Sequence, residues 1–234
     1  MIAIITSTIF TGSSTIHTLY RDSISAEERL TQTLMTIESL KSLGFSKIYL
    51  FDNSGFNWQK QSENQLVNME LVKFNSFQYN NKGLSELLML IHGMEIIQDD
   101  IPILKISGRY SLTEKLDQNI LNEVEFAGKF NSDTISTRAY YFCNKQVMQT
   151  TLFEALNNMY FYKHRVFGFR SLIQVIKNAF LKNNSTIFYD TNIAIERGMF
   201  NAIKKLELKT YKMQKINVRG ISGHPADNKK VINE

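Results

Sequence analysis

The chain has 234 residues, of which 43% are hydrophobic and 21% charged, and its formal net charge is +5 at pH 7. These values are ordinary for a globular protein with a sizeable core, and they exclude a fibrous or low-complexity chain. The single cysteine, Cys143, excludes an internal disulfide, and no apolar run has the length of a membrane-spanning helix.

The charge is distributed unevenly along the chain. Residues 1–150 carry 13 Lys+Arg and 16 Asp+Glu, whereas residues 151–234 carry 14 and 6. A basic final third suits an anionic partner such as a diphosphate, a lipid headgroup or a nucleic acid, although a solvated basic surface has the same composition. The apolar N-terminus lacks the basic and cleavage regions of a signal peptide, so we interpret it as a strand and expect a cytoplasmic protein.

Strands and helices alternate in the first half of the chain. Residues 2–10 and 47–51 predict buried strands, and between them Ser25 predicts the N-cap of a helix that ends near Gly44. A strand, a helix and a second strand in this order form a parallel crossover unit. The remaining elements of this half are strands over 69–74, 101–106 and 134–142 and a helix over 84–97.

The second half is more helical. Helices are predicted over 145–160, 171–181 and 192–206, and residues 209–218 alternate loosely, as an edge strand does. No internal repeat or Pro/Ser linker divides the chain. We therefore predict one α/β domain with a mostly parallel, Rossmann-like sheet flanked by helices. In this prediction residues 1–142 are the nucleotide-binding half, and residues 143–234 are a helical, basic, acceptor-side half.

Four polar segments are predicted to meet at one edge of the sheet, because ligands of open α/β sheets bind beyond the carboxyl ends of the strands. These segments are residues 8–14, 52–55, 81–83 and 107–110. From the first two we predict that Thr8, Asp52 and Asn53 bind the nucleotide, together with Arg21 in the first loop. Asp52 has an alternative role, because an Asp in Asp-Asn-Ser-Gly also forms a turn with its own backbone.

A basic segment after the fourth strand is predicted to hold the phosphates. Lys105 lies in an apolar run, and Ser107, Gly108 and Arg109 follow it. An arginine fork suits a phosphate, and a glycine lets the backbone approach it. The alternatives are that Lys105 extends to solvent or pairs with the aspartates at 99–100, and that Arg109 pairs with an internal carboxylate.

Five further candidates lie elsewhere in the chain. Lys82 and Gly83 begin a predicted helix, where a phosphate would meet backbone donors and an ammonium, although a glycine is also ordinary at such a junction. Glu196 lies near the start of another helix, either as a general base for an acceptor hydroxyl or as a residue that complements the helix dipole. Arg138, inside a strand, is included among the binding residues. His224 is either a phosphate donor, a metal ligand or an exposed side chain.

Motifs of other enzyme classes are missing from the sequence. No Walker loop or Gly-x-Gly-x-x-Gly follows the first strand, and there is no Gly-x-Ser-x-Gly elbow. The aromatic and basic residues over 159–170 indicate contact with a membrane surface or amphiphilic acceptor, base stacking, or packing on the core. We interpret Cys143 as a small apolar residue at a strand end.

Several short motifs occur together: ITST at 5–8, LFDNSG at 50–55, NKG at 81–83, KISGRY at 105–110, TRAYYF at 137–142 and GISG at 220–223. This set resembles bacterial GT-A-like glycosyltransferases of surface-polysaccharide loci, which make capsule and lipopolysaccharide. The resemblance implies transfer of a sugar from a nucleotide-sugar donor to a glycan or lipid-linked acceptor. From the basic and aromatic second half we also expect a peripheral contact with the inner face of the cell membrane, and from the compact α/β first half we expect no nucleic-acid partner.

The resemblance has a consequence for metal binding. In a typical GT-A enzyme an Asp-x-Asp motif ends the strand that corresponds to residues 101–106, and it binds Mn²⁺ or Mg²⁺ against the donor diphosphate. This chain has Ser107-Gly108-Arg109 there, so we expect Arg109, with Lys105 or Lys82, to supply the positive charge. The alternatives are a non-catalytic nucleotide- or glycan-binding module and, least expected, a nucleic-acid-binding protein.

Overall fold

The strands and helices of the computed structural model cover most of the residues that it describes, which are 1–10, 24–58, 69–74, 81–163, 193–221 and 231–234. In chain order they are β1 (Ile2–Ser7), α1 (Ala26–Ser42), β2 (Lys47–Asp52), β3 (Met69–Lys73), α2 (Lys82–Gly93), β4 (Ile103–Ser107), β5 (Tyr110–Leu112), α3 (Gln118–Glu123), β6 (Phe126–Phe130), β7 (Ile135–Phe142), α4 (Lys145–Lys163), α5 (Ile195–Lys205), β8 (Thr210–Lys212), β9 (Val218–Ile221) and β10 (Val231–Asn233). The helix predicted over 171–181 lies outside the described residues.

Seven strands form one sheet in the order β3-β2-β1-β4-β7-β6-β8. Strands β1 to β4 are parallel, β7 is antiparallel to both of its neighbours, and β8 is parallel to β6. All strands of this sheet except β7 therefore run in one direction. The predicted sheet, mostly parallel and flanked by helices, is confirmed.

The alternation of side chains along the strands puts an apolar layer on each face of the sheet. Ile2 and Ile4 belong to the core beneath α2, α4 and α5, whereas Ala3 and Ile5 belong to the core beneath α1. Because helices cover both faces, the central strands are apolar along most of their length and their polar side chains lie at the ends. None of the described helices is long and apolar enough to cross a membrane.

Local sequence signals set the ends of α1. The Ser25 hydroxyl accepts a hydrogen bond from the Glu28 amide at 3.1 Å, and the Glu28 carboxylate accepts one from the Ser25 amide at 2.8 Å. This reciprocal pair is a capping box. Gly44, just beyond the last turn, has φ 70°, the left-handed conformation that ends many helices. Both predicted ends of α1 are thus confirmed.

The later strands differ from the prediction. The strand predicted over 134–142 is present, but it is antiparallel to β4. The edge strand predicted over 209–218 is confirmed in part: residues 210–212 form β8 at the edge of the large sheet, whereas Val218 begins β9, which joins β5 and β10 in a separate three-stranded sheet. Strands β5, β8 and β10 have only 3 residues each, too few for a period of two to be recognised.

Strand β7 is irregular where it reaches the carboxyl edge of the sheet. Its pairing with β4 ends at Ala139 opposite Ile106, and its pairing with β6 shifts register between Gly128 and Phe130. Such irregularities bend a strand, re-aim its side chains and are common beside functional sites. The first residues of β7 are therefore released from pairing with β4 at the edge where β1 and β4 end.

Candidate functional site

The first part of the site lies where β1 and β2 end. The Thr8 hydroxyl donates to Asn53 Oδ1 at 2.6 Å, so the two loops are joined at the carboxyl edge. Beside them Phe10 is 49% exposed, and its ring centre lies 5.5 Å from that of Phe56. An exposed aromatic face beside hydrogen-bonding groups is suited to a planar base. Sequence reasoning missed both phenylalanines, whose only signal is an apolar ring within a polar loop.

Asp52 has a structural role at this edge. It is only 2% exposed, and its Oδ1 and Oδ2 accept hydrogen bonds from the Ser54 amide at 2.7 Å and the Trp58 indole at 2.6 Å. Burial raises the pKa of Asp52, while the hydrogen bonds from Ser54 and Trp58 act in the opposite direction. Because both oxygens are used within the protein, Asp52 fixes the loop that carries Asn53 and Phe56. This geometry is the predicted alternative role of Asp52, in which the carboxylate forms a turn with its own backbone. Asp52 is therefore not among the ligand contacts proposed below.

Gly108 lies in the turn that follows β4. Its amide donates to the Thr6 carbonyl at 2.9 Å. A Cβ at position 108 would lie 3.0 Å from Thr33 Oγ1 and 3.3 Å from Ile5 Cγ2. A glycine is thus favoured here by close packing against α1 and β1. The structure gives this packing reason for the glycine at position 108, and the approach of a ligand to its backbone stays a prediction.

Arg109 follows this turn and is half-buried at the carboxyl edge, where the sequence predicted it. Its guanidinium carbon lies 5.8 Å from the centre of the Tyr110 ring. Within the described parts of the chain the Arg109 side chain makes no hydrogen bond or ion pair, so the alternative of an internal carboxylate partner has no support there. A guanidinium with no carboxylate partner among the described residues is suited to bind a phosphate.

A buried ionic cluster lies at the same edge, on the face covered by α2 and α5. Lys105 is 1% exposed, and its ammonium pairs with the Glu86 carboxylate of α2 and donates to the Thr137 carbonyl at 2.7 Å. Glu86 Oε1 also accepts from the Thr6 hydroxyl at 2.8 Å. The alternative pairing of Lys105 with the aspartates at 99–100 is wrong, because those residues precede β4 while Glu86 reaches Lys105 from the helix above the sheet. A buried ammonium requires such a partner.

Glu196 joins this cluster through Thr137. It lies in the first turn of α5, as predicted, and its Oε1 accepts from the Thr137 hydroxyl at 3.0 Å. Its other oxygen has no hydrogen-bond partner among the described residues. The position is compatible with both predicted roles, since the carboxylate complements the helix dipole and keeps one oxygen available for an acceptor hydroxyl.

Gly83 allows the N-terminal ends of α2 and α5 to meet. A Cβ at position 83 would lie 2.8 Å from Ile195 Cγ2. Asn81 caps α2 by accepting from the Leu84 amide at 3.1 Å, and it donates to the Ile193 carbonyl at 2.8 Å. Helix packing therefore explains the glycine. Lys82 is exposed in the first turn of α2, and its contact with a phosphate stays a prediction.

Arg138 lies at the edge, and its guanidinium is already paired. Its Nη1 donates to Glu234 Oε2 at 2.6 Å, and Glu234 Oε1 accepts from Lys129 at 3.1 Å. Burial would raise the pKa of Glu234, but the hydrogen bonds from Lys129 and Arg138 outweigh it, so that this pKa is lowered. The predicted binding role of Arg138 therefore requires an anionic ligand to displace Glu234.

The carboxylates at this edge do not fit a divalent metal of the Asp-x-Asp type. Ser107 and Arg109 occupy the end of β4 where that motif would lie, and Asp52 is enclosed by its own loop. Glu86 and Glu196 each use one oxygen within the protein, Glu86 for Lys105 and Thr6 and Glu196 for Thr137. The described residues contain no group of three or more His, Cys, Asp or Glu placed to hold a metal ion.

Two predicted binding residues, Arg21 and His224, lie outside the described residues, as does the segment over 164–170. Cys143 follows β7 and is half-buried, and burial raises the pKa of its thiol. A raised pKa is the opposite of what a nucleophilic cysteine requires. This half-buried position after β7 agrees with the interpretation of Cys143 as a small apolar residue at a strand end.

Comparisons with known proteins show the fold. The chain superposes on the nucleoside-diphosphate-sugar pyrophosphorylase from Vibrio cholerae RC9 with a TM-score of 0.53, at 10% identity over 97% of each chain. The galactosyltransferase LgtC, solved with donor and acceptor sugar analogs, gives a TM-score of 0.49 at 8% identity over 93% of this chain and 86% of that chain. No protein-family model matches the chain, and no curated protein matches it in sequence. The superposition on the pyrophosphorylase confirms the predicted Rossmann-like sheet flanked by helices, and identities this low establish no reaction.

Proposed function

We propose that the protein is a glycosyltransferase that moves a sugar from a nucleotide-sugar donor to a glycan or lipid-linked acceptor in surface-polysaccharide synthesis. The observation that carries the proposal is the order of three groups along one edge of the sheet. An exposed aromatic ring follows β1, a guanidinium with no ion-pair partner among the described residues follows β4, and a carboxylate on α5 lies beside β7. The ring, the guanidinium and the carboxylate thus follow one another as the base, the phosphates and the sugar do in a nucleotide-sugar donor. They lie at the edge where open α/β sheets bind ligands.

The nucleoside occupies the part of the site formed by the ends of β1 and β2. The base stacks on Phe10, whose other neighbour is the Phe56 ring. Thr8 and Asn53, which are joined by a hydrogen bond, lie at the edge of the same surface and bind polar groups of the nucleoside. Stacking of one base on an aromatic side chain contributes about 1–3 kcal/mol, so Phe10 supplies a substantial part of the nucleotide affinity.

Arg109 binds the phosphates. During transfer the bond between the sugar and the phosphate breaks, and negative charge accumulates on the departing nucleotide. A guanidinium fixed at the end of β4 stabilises that charge, and removal of one such preorganised donor typically lowers a rate by about 10²–10³. Because Arg109 itself carries a charge, this role needs no metal ion.

Glu196 takes the proton of the acceptor hydroxyl. The Thr137 hydroxyl holds one of its oxygens, which leaves the other to accept the proton as the acceptor oxygen bonds to the sugar. The acceptor therefore approaches from the side of α5, in the basic half of the chain. A lipid-linked acceptor would bring that half close to the inner face of the membrane, as the sequence predicted.

The proposal is tested by nucleotide release. Purified protein is incubated with UDP-, GDP-, CMP- and dTDP-linked sugars and an extract of bacterial lipids and glycans, in EDTA. We expect release of one nucleotide, stimulated by the extract and reduced at least tenfold in Glu196→Gln. The matched control is Glu70→Gln, which alters an exposed ion pair between Glu70 and Lys47 on β3 and β2.

Other reactions give other products. Because a pyrophosphorylase shares this fold, the same protein is incubated with nucleoside triphosphates and sugar 1-phosphates, and pyrophosphate is measured. Pyrophosphate without nucleotide release would replace the proposal by nucleotidyl transfer. Nucleotide binding without either product, and without an effect of Glu196→Gln, would support the non-catalytic binding module instead.

A further inference from the structure

A polar cluster, here called the edge cluster, is formed by Glu86, Lys105, Thr6, Thr137 and Glu196. The proposed mechanism uses only Glu196 and the Thr137 hydroxyl that holds it. We propose that the edge cluster is the subsite for the transferred sugar, and that it selects a sugar without a carboxylate group, either neutral or amino. This inference rests on the proposed function and names the substrate class of the same site.

The position of the edge cluster follows from strand register. Thr6 of β1 lies opposite Ser107 of β4, and Lys105 lies opposite Tyr140 of β7. Neighbouring strands are separated by roughly 4.8 Å, so β7 is one strand beyond β4, the strand that Arg109 follows. In the direction from nucleoside to phosphates, the next group met is therefore the sugar, beside Thr137 and the first residues of β7.

The edge cluster contains hydrogen-bonding capacity that the protein does not use. Glu86 bonds through Oε1 and Glu196 through Oε1, and the second oxygen of each has no partner among the described residues. The Tyr140 hydroxyl is buried beside them and also lacks a hydrogen-bond partner there. The free oxygen of Glu86 can accept a hydrogen bond from a hydroxyl group of the transferred sugar, while the free oxygen of Glu196 is kept for the acceptor hydroxyl.

The charges of the edge cluster determine which sugars it accepts. The ammonium of Lys105 is wholly buried and already pairs with Glu86, so it does not reach a ligand as a free cation. With Glu86 and Glu196 ionised the cluster carries one net negative charge. A uronic or sialic acid would place a third carboxylate beside those of Glu86 and Glu196, and neighbouring like charges repel one another. A neutral or amino sugar avoids this repulsion.

A purely structural role of Glu86, in which it only neutralises Lys105, makes a different prediction. In that case Glu86→Gln alters stability and leaves the ratio of affinities for two sugars unchanged. Discrimination between a neutral sugar and its oxidised counterpart therefore separates the two roles, since stability affects both ligands equally.

The experiment is isothermal titration of the full chain with free UDP, GDP and CMP and with donors that differ in one carboxylate. The pairs are UDP-glucose with UDP-glucuronate and GDP-mannose with GDP-mannuronate, and CMP-N-acetylneuraminate is compared with CMP. We expect the wild type to bind the neutral member at least about tenfold tighter than the acidic one. Glu86→Gln should reduce this ratio at least threefold without changing the affinity for free nucleotide, and Glu70→Gln should change neither.

Each outcome decides a separate claim. If no free nucleotide binds the wild type, the proposed function fails. If a nucleotide binds but the acidic sugar conjugate binds as tightly as the neutral one, or CMP-N-acetylneuraminate binds more tightly than CMP, only the sugar selectivity is overturned. Should Glu86→Gln not fold, Glu196→Gln, which leaves Lys105 paired, provides the same test. If Glu86→Gln folds and keeps the wild-type ratio of affinities for the neutral and the acidic donor, the inference is also overturned.

Discussion

The buried ion pair between Lys105 and Glu86 leads to an asymmetric prediction for stability. The Lys105 side chain is fully buried, whereas that of Glu86 is 24% exposed. Glu86→Ala leaves the ammonium buried without a carboxylate, which typically costs about 3–5 kcal/mol. Lys105→Met leaves a carboxylate that water still reaches, so its cost is closer to the loss of hydrogen bonds to a charged group, about 1.5–3 kcal/mol.

The double variant, Glu86→Ala with Lys105→Met, distinguishes a coupled pair from two independent effects. It removes both charges together, so its cost should lie well below the sum of the two single costs and near that of Lys105→Met. The free energies of unfolding are measured by urea denaturation with circular dichroism at neutral pH. Additive costs, or a larger cost for Lys105→Met than for Glu86→Ala, would refute the reasoning.

An exposed ion pair provides the control for this cycle. Lys47 and Glu70 are 3.0 Å apart, and each side chain is 41% exposed. The corresponding variants, Lys47→Met and Glu70→Ala, should each change the free energy of unfolding by about 1 kcal/mol or less, because water screens and solvates both groups. If the variants of the Lys47–Glu70 pair lower the free energy of unfolding as much as those of the Lys105–Glu86 pair, burial does not govern the energetics of the edge cluster.

Three further variants test other contacts by urea unfolding. Asp52→Asn should lower the free energy of unfolding by about 1–3 kcal/mol at neutral pH, because the amide offers only one acceptor to the two donors, the Ser54 amide and the Trp58 indole. Burial raises the pKa of Asp52, so the difference in free energy of unfolding between the wild type and this variant should decrease as the pH rises above the ordinary value of 3.8. Glu234→Gln should lower the free energy of unfolding by about 1 kcal/mol or less. Because the pKa of Glu234 is lowered, this difference should be constant at neutral pH and should be lost as the pH falls below 4.5, the ordinary pKa of a glutamate. Gly108→Ala, whose Cβ would lie 3.0 Å from a hydroxyl of α1, should cost about 1–3 kcal/mol. Identical stability of any of these variants and the wild type at neutral pH would contradict the corresponding contact.

The parallel half of the fold was predictable because its signals are local. Ser25 and Gly44 mark the ends of α1, and the apolar runs of β1, β2 and β4 are typical of strands covered on both faces. The direction of β7 was not predictable, because a buried strand has the same residue pattern whichever way it runs. The three-residue strands are shorter than any reliable periodic signal.

The candidate site was predictable only where it depends on strand ends. Thr8, Asn53 and Arg109 follow strands, so the rule for open sheets places them at one edge. Lys105 in an apolar run indicated a carboxylate partner, but the nearest acids in sequence were the wrong ones. Glu86 is at an ordinary position of an amphipathic helix, and only the packing of α2 on the sheet brings it to Lys105.

The central claim is that Arg109 binds the phosphates of a nucleotide-sugar donor without a metal. The most direct measurement is the thermal unfolding midpoint of the protein with UDP-, GDP-, CMP- and dTDP-sugars in EDTA, for the wild type, Arg109→Ala and a matched control, Arg219→Ala, on β9. A ligand at 100 times its Kd stabilises the folded state by about 2.7 kcal/mol, which is readily detected. We predict a higher midpoint with one nucleotide family in EDTA, lost in Arg109→Ala and kept in Arg219→Ala. No shift with any nucleotide sugar, or a shift that Arg109→Ala retains in full, would contradict the claim.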